Sequence, residues 1–352
     1  MKALTVVPLQ AGSVAVVDMP DPVPVDGELL VEGLALGVCG TDVEIVGGEY
    51  GWAPPGSERL VLGHESLGRV VSVDSAPGSG FAVGDLVVGV VRRPDPEPCG
   101  ACAAGQFDMC RNGRYTERGI KELHGYGSSL WTVEADYAVR LEPSLESVGM
   151  LMEPTTILAK AWDHIARIGE RAYTEQHRVL VTGAGPIGLL AALLASQRQL
   201  EVHVLDLPES GLKPELVRAL GATYHHSGVA DAVSGCRPDV IIEATGVGQL
   251  VFDAMQGTGA SGIVCLTGVS PTGRHLEVDA GAVNRELVLE NDVVFGSVNA
   301  NLRHYATARE ALEAADRSWL ERLITRRVPL SQFADALDRR DDDVKVVIDL
   351  AA

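Results

Sequence analysis

Residues able to hold a metal ion, move a proton or cradle a phosphate fall at a few places in this chain. Cys39-Gly40-Thr41-Asp42 and Gly63-His64-Glu65 offer a thiolate, an imidazole and a carboxylate. Each group follows a strand-like run and sits in a loop able to converge on one metal. Singly such residues are ordinary, since a lone Cys is usually a small buried hydrophobe. Cys99, Cys102 and Cys110 crowd into one short loop. With six cysteines in 352 residues, that crowding fits metal binding in a reducing compartment better than a disulfide framework. The plainer reading is three free thiols in a loop shaped by Gly100 and Gly105. Gly183-Ala184-Gly185-Pro186-Ile187-Gly188 follows the apolar strand Arg178 to Val181 and opens an apolar helix. Its glycines allow a tight turn and close backbone approach to a pyrophosphate, and the helix N-terminus supplies free N–H groups. Asp206 ends the next strand, Val202 to Leu205, about twenty residues further on, where a carboxylate pairs with the ribose 2'-OH of NAD and repels a 2'-phosphate. NAD is therefore favoured over NADP. Otherwise Asp206 is a turn or capping residue before Pro208.

Two kinds of architecture must position these groups. Up to about residue 140, short alternating segments punctuated by Gly and Pro (Ala3 to Val7, Glu28 to Ala35, Ser66 to Ser72, Asp85 to Val91, Trp131 to Val139) predict an antiparallel, strand-rich domain. Ile157, Leu158, Ala161, Trp162 and Ile165 recur at helical spacing and predict a connecting helix over residues 144–168. From Arg178 onward apolar strands alternate with helical stretches, which predicts a parallel, doubly wound sheet. The closing strand, Val344 to Leu350, need not belong to that sheet.

Bulk properties narrow the function. The formal net charge is −19 and only five of the 29 basic residues are lysines, which argues against a nucleic-acid surface. The longest apolar runs, Val83 to Val91 and Val179 to Ala195, are interrupted by Gly, Asp or Thr and give no membrane span. Met1 to Val7 reads as a strand without a signal-type apolar region, so a cytoplasmic location is expected.

Cys39-Gly-Thr-Asp42, Gly63-His-Glu65, Gly84-Asp85 and the cysteine-rich loop, ahead of a glycine-turn nucleotide domain, resemble the zinc alcohol dehydrogenase, or medium-chain dehydrogenase/reductase, superfamily over nearly the whole chain. Val91-Arg92-Arg93-Pro94, Glu117-Arg118-Gly119-Ile120, His124-Gly125-Tyr126, Glu153-Pro154 and Gly296-Ser297-Val298-Asn299 are similar to its archaeal glucose 1-dehydrogenase branch. The resemblance implies an α/β fold: a GroES-like catalytic domain over residues 1–158, completed by 301–352, and a Rossmann doubly wound parallel-sheet cofactor domain over 159–300. It implies a catalytic Zn2+ held by Cys39, His64 and Glu153, with Glu65 beside it as an alternating ligand or a group just outside the ligand set. Three protein ligands leave the open position catalysis needs.

In the same family a hydroxyl at the place of Thr41 takes the alcohol proton. Many members end the relay at a His three positions on, where this chain has Glu44. The resemblance extends the cofactor contacts to Thr245, Gly268 and Asn299. It places Glu117, Asn299 and, more weakly, His124 with the substrate, beside Thr41 and Glu153. A site built of buried polar groups suits a sugar or polyol and rejects simple alcohols. Plainer readings make Glu117 and Arg118 a surface ion pair and Asn299 a strand-end cap, and Val90 stands where some relatives carry a polar residue.

The family's lobe zinc takes four cysteines spaced C-x2-C-x2-C-x7-C. Cys99, Cys102 and Cys110 match the last three, and Pro96 stands at the first. Either Asp95 or Glu97 completes the site, or the structural zinc is weak or absent. The expected reaction passes a hydride to NAD(P) from a sugar hydroxyl, foremost the anomeric hydroxyl of glucose or a related aldose. A cyclitol, amino-sugar, sorbitol-type or threonine-type dehydrogenase is the alternative. A cofactor-binding protein without chemistry is remote while Cys39, His64 and Glu153 are all present. The sheet edge of such a cofactor domain commonly pairs across a two-fold axis, so a homodimer or homotetramer is expected.

Overall fold

The computed structural model describes residues 1–173, 176–271, 273 and 275–351, and divides into two compact units, Met1–Glu153 with Asn299–Ala352, and Pro154–Val298. The first unit runs β1 (Lys2–Val6), β2 (Ala15–Asp18), β3 (Glu28–Val38), α1 (Gly40–Gly47), β4 (Leu60–Val61), β5 (Glu65–Ser72), β6 (Leu86–Gly89), β7 (Arg92–Arg93), α2 (Gly100–Ala103), β8 (Thr116–Arg118), β9 (Glu122–Leu123), β10 (Leu130–Glu134) and β11 (Ala138–Leu141). After it α3 (Met152–Gly169) leads into the second unit. That unit runs β12 (Arg178–Thr182), α4 (Pro186–Gln197), β13 (Glu201–Leu205), α5 (Leu212–Ala219), β14 (Thr223–His225), α6 (Val229–Cys236), β15 (Val240–Glu243), α7 (Gly248–Met255), β16 (Ile263–Leu266), α8 (Ala280–Glu290) and β17 (Val293–Gly296). The chain then returns to the first unit with α9 (Leu302–Ala314), α10 (Arg317–Leu323), β18 (Ile324–Pro329), α11 (Phe333–Leu337) and β19 (Lys345–Asp349).

In the first unit the main sheet has the order β11-β6-β5-β3-β19-β18, with β10 also on β3. Leu29, Val31, Leu36, Val70, Val87, Trp131 and Ile348 pack in its core. β3 matters most for the site, because it lies between β5 and β19: Gly37 faces Glu65 on one side and Val347 on the other. The last strand thus belongs to this sheet and not to the parallel one. The run expected as one strand, Trp131 to Val139, is two. A 3-10 turn at Ala135–Tyr137 breaks it, and the halves β10 and β11 pair with different partners, β3 and β6.

The second unit is the doubly wound parallel sheet expected, in the order β14-β13-β12-β15-β16-β17 among the described residues. The apolar residues Val179, Leu180 and Val181 in β12, and the strand β15, are buried because helices cover both faces of such a sheet. The order reverses about β12, and the crevice at the carboxyl ends of strands beside such a switch point is where these sheets take their ligands. Strand β14 and helices α6, α7 and α8 go beyond the sequence reading, being segments with little periodicity. Among the described residues no helix is long and apolar enough to cross a membrane.

Candidate active site

Cys39 leaves β3 and caps α1. Its backbone N–H donates to Asp42 Oδ2 at 2.9 Å, and its Sγ lies 3.0 Å from His64 Nε2. Gly63, at φ +94°, turns the chain so that His64 and Glu65 enter the site at the start of β5. The other ring nitrogen, Nδ1, faces Asp42 Oδ1 at 3.5 Å. One nitrogen is thus turned to the thiol, and a buried carboxylate orients the ring from behind, the arrangement that fixes a ligating histidine. Ligand-capable atoms of Cys39, Asp42 and His64 all lie within 4.8 Å of one another, as do those of His64, Glu65 and Glu153. His64 joins the two triples into one cluster. The structure therefore brings together Cys39, His64, Glu65 and Glu153 from three places in the sequence.

Glu65 is buried against Lys345, whose ammonium donates to Oε1 at 2.6 Å and also contacts Oε2. Lys345 Nζ donates to the Val38 carbonyl as well, at 2.9 Å. Gly37 makes room: a Cβ there would overlap the Glu65 carboxylate. Burial favours the neutral His64 ring, but the Cys39 and Asp42 charges outweigh it and hold the imidazole well above its ordinary value. Burial raises Glu153 against the pull of His64, and with Glu65 near it the carboxyl is pushed up to about 7. A cysteine sulfur, an imidazole and carboxylates gathered this closely form a donor set that suits a divalent cation. The soft sulfur with the imidazole suits zinc better than magnesium or calcium.

Thr41, half-buried, is near the start of α1, whereas Glu44 is exposed further along that helix. Glu117, on β8, is buried and pairs with Arg92 and not with Arg118, correcting the surface-pair reading. Its Oε1 accepts from Arg92 Nε at 3.1 Å, Arg92 Nη2 at 2.9 Å and Asn299 Nδ2 at 2.6 Å. Arg118 turns to Glu134. Asn299 is more than a strand-end cap: at φ +60° it sends its amide to Glu117 while Oδ1 accepts the Ala300 N–H at 2.8 Å. His124 is tied up otherwise. Its Nδ1 accepts the Val61 N–H at 3.1 Å, and burial together with Arg118 holds the ring below its ordinary value. This makes His124 a fastener of β4.

The glycine turn divides its work among three residues. Gly183 needs its φ of +92°; at Gly188 a Cβ would collide with the Gly183 carbonyl; at Gly185 a Cβ would meet only open space, so the bare backbone there faces outward. Pro186 and Ile187 start α4, where the missing proline N–H costs nothing. Asp206 reaches back into this turn: Oδ2 accepts the Ala184 N–H at 2.9 Å, Oδ1 accepts the Leu207 N–H at 2.7 Å, and Lys213 Nζ lies 3.3 Å from Oδ2. Thr245 and Gly268 meet around a residue the sequence reading passed over, the buried Glu243. Its carboxylate accepts from the backbone N–H of Thr245 at 2.8 Å and of Gly246 at 3.1 Å, and a Cβ on Gly268 would press into it.

In the cysteine lobe, thiols of Cys99, Cys102 and Cys110 lie within 4.8 Å of one another, and neither Asp95 nor Glu97 joins them. Asp95 Oδ1 accepts the Glu97 N–H at 2.8 Å while Oδ2 pairs with Arg114 at 3.3 Å, and Glu97 pairs with Arg114 at 2.8 Å. The N–H of Arg111, donated to sulfur at 3.4 Å, draws Cys99 down to about 6, whereas burial pushes Cys102 up to about 11. Three thiols thus meet in the lobe, and among the described residues no carboxylate or imidazole joins them.

Asp42 and Lys345 were the supports missed from the sequence. Asp42 belongs to the Cys39–Asp42 motif, and the signal for Lys345 is a lysine inside the apolar run Val344-Lys-Val-Val-Ile348.

Residues 25–143 match the alcohol dehydrogenase GroES-like domain and residues 146–350 the glucose dehydrogenase C-terminus. The chain is 40% identical to a glucose 1-dehydrogenase of Methanocella arvoryzae across the full length of both, and 37% identical to one of Thermoproteus tenax over 99% of each. It is also similar to the solved Haloferax mediterranei glucose dehydrogenase in complex with NADP, Zn and gluconolactone, with a TM-score of 0.91 and 34% identity over all of both chains. The chain belongs to the zinc-dependent medium-chain dehydrogenase/reductase family, in its glucose dehydrogenase branch.

Proposed function

We propose that this NAD(P)-dependent zinc dehydrogenase oxidises the anomeric hydroxyl of glucose or a closely related aldose: aldose and NAD(P)+ give the lactone, NAD(P)H and a proton. The observation that carries this reading is the cluster in which His64 joins half-buried Cys39 on one side to Glu65 and half-buried Glu153 on the other, in the same unit as the Arg92–Glu117–Asn299 convergence. Zinc held by Cys39, His64 and Glu153, with Glu65 alongside, supplies a Lewis acid that makes a hydroxyl acidic near neutral pH. Asp42 orients the His64 ring, and Lys345 anchors the Glu65 carboxylate at the edge of the ligand set. Thr41 accepts the departing proton and passes it outward. Glu117 and Asn299 bind sugar hydroxyls, and a substrate without those hydroxyls gains none of these contacts. The nucleotide pyrophosphate lies on the Gly183–Gly188 turn and the α4 N-terminus, with Thr245 and Gly268 in the neighbouring loops.

NAD is preferred over NADP because Asp206 stands at the ribose, although the Lys213 ammonium beside it lowers the penalty for a 2'-phosphate. The Haloferax relative was solved with NADP. The edge strand β17, with Val288 and Leu289 of α8 exposed, supports pairing with a second copy into a dimer or tetramer. The deciding assay offers D-glucose, D-galactose, D-xylose, sorbitol, myo-inositol and L-threonine with NAD or NADP, with and without chelator. Chelator-sensitive oxidation of aldoses supports the proposal; turnover of only the cyclitol or the amino acid refutes the role given to Glu117 and Asn299.

A further inference from the structure

Helix α1, capped by Cys39, is closed at its other end by Gly48 in the left-handed conformation, and the following turn presents two aromatic rings to solvent. Tyr50 and Trp52 are 38% and 42% exposed, and their rings meet edge to face with centroids 5.0 Å apart. Gly51 between them is buried at φ +101°; a Cβ there would lie 3.2 Å from Ile45 and 3.7 Å from the Ile120 carbonyl. The backbone thus turns its bare position to the core, which throws both neighbouring rings outward.

Trp52 is fastened to the short strands that carry Glu117. Its N–H donates to the Ile120 carbonyl at 2.9 Å and its carbonyl accepts the Glu122 N–H at 3.0 Å, while Glu122 is the strand partner of Glu117. Nearby, the Arg92 guanidinium covers the Tyr115 ring at 3.7 Å, with the Lys121 ammonium 4.3 Å from the same centroid. Burial raises the Tyr50 phenol above its ordinary value, and the charge of Glu117 adds to the effect. A guanidinium, a carboxylate and an amide that converge beside solvent-facing rings make a surface of mixed character. Pyranose sugars have that character too: hydroxyls at the rim and a C–H face that packs on an aromatic ring.

We propose that Trp52, with Tyr50 as its edge-to-face partner, forms an aromatic wall on which the C–H face of the aldose stacks, and that this wall helps set substrate specificity. The proposal rests on the sugar dehydrogenase reading above and adds residues to its binding site. Trp52 reports on itself, because the chain has four tryptophans and the others, Trp131, Trp162 and Trp319, are 3%, 3% and 5% exposed. D-glucose added to the zinc-loaded enzyme without oxidised cofactor is expected to shift the emission to the blue and to reduce quenching by acrylamide, a response that Trp52→Phe removes. Trp52→Ala is expected to raise KM for glucose by about tenfold with kcat nearly unchanged, and Trp52→Phe to restore much of the loss. If the wild-type enzyme turns over glucose while saturating glucose leaves Trp52 as quenchable as before and Trp52→Ala keeps the KM, the wall is wrong and the sugar reading stands. If wild type turns over no sugar, the sugar reading itself has failed, and the wall with it.

Discussion

Two cysteine-bearing clusters in one unit of this chain show what separates a built metal centre from an incomplete one. Around His64 the buried groups have partners that hold them: Asp42 behind the ring, Lys345 on Glu65, and the bare backbone of Gly37 making space for the carboxylate. In the lobe the three thiols come together, but the nearby carboxylates of Asp95 and Glu97 are engaged by Arg114. Donor types are therefore not enough; whether the surrounding residues direct donors inward or draw them aside decides coordination.

The comparison can be broken most forcefully at the ligands. His64→Ala is expected to lower glucose oxidation on the order of 1000-fold and to remove the tightly held zinc, as read by steady-state assay and metal analysis. Lys345→Met leaves Glu65 buried without its counter-charge and should destabilise the fold by about 3–5 kcal/mol in denaturant unfolding, with partial recovery on adding Glu65→Gln. Asp42→Asn keeps the ligands but weakens their orientation, so zinc affinity is expected to fall about 10- to 100-fold in competition with a chelator. In the lobe, Cys102→Ser should leave glucose turnover nearly unchanged, and a mild chelator should strip any lobe zinc from wild type before the His64 site empties; the reverse order would erase the distinction drawn between the clusters.

The smallest effect is expected from an ion pair away from both clusters. Burial raises Glu134, but the hydrogen bonds and charge of Arg93 overcome this and hold it at about 2, below its usual 4.5. A depressed carboxylate stabilises the fold fully above the unfolded value and loses that contribution as pH falls from about 4.5 toward 2. Since Glu134 is 40% exposed, solvent screens the pair, so Arg93→Met should flatten the acid limb of stability only modestly, as followed by unfolding at a series of pH values.

How much of this was legible in the sequence follows from distance along the chain. The Cys39–Asp42 and His64–Glu65 groups and the Gly183–Gly188 turn are local signals, written in consecutive residues, and the alternation of strand and helix after Arg178 carries the parallel sheet in the same way. Pairings between distant segments carry no such mark. Lys345 meets Glu65 only because β3 lies between β5 and β19, and Glu117 finds Arg92 and Asn299 and not its neighbour Arg118 because β7 pairs with β8. The run Trp131 to Val139 looked continuous because alternation persists through a turn that breaks the strand.

The most direct test of the account is a zinc titration of the chelator-stripped enzyme, following glucose oxidation in the wild type and in the Cys102→Ser variant. No turnover is expected without zinc, and activity returns in both proteins as the His64 cluster fills. Full turnover in the stripped enzyme, or recovery that requires an intact cysteine lobe, would contradict it.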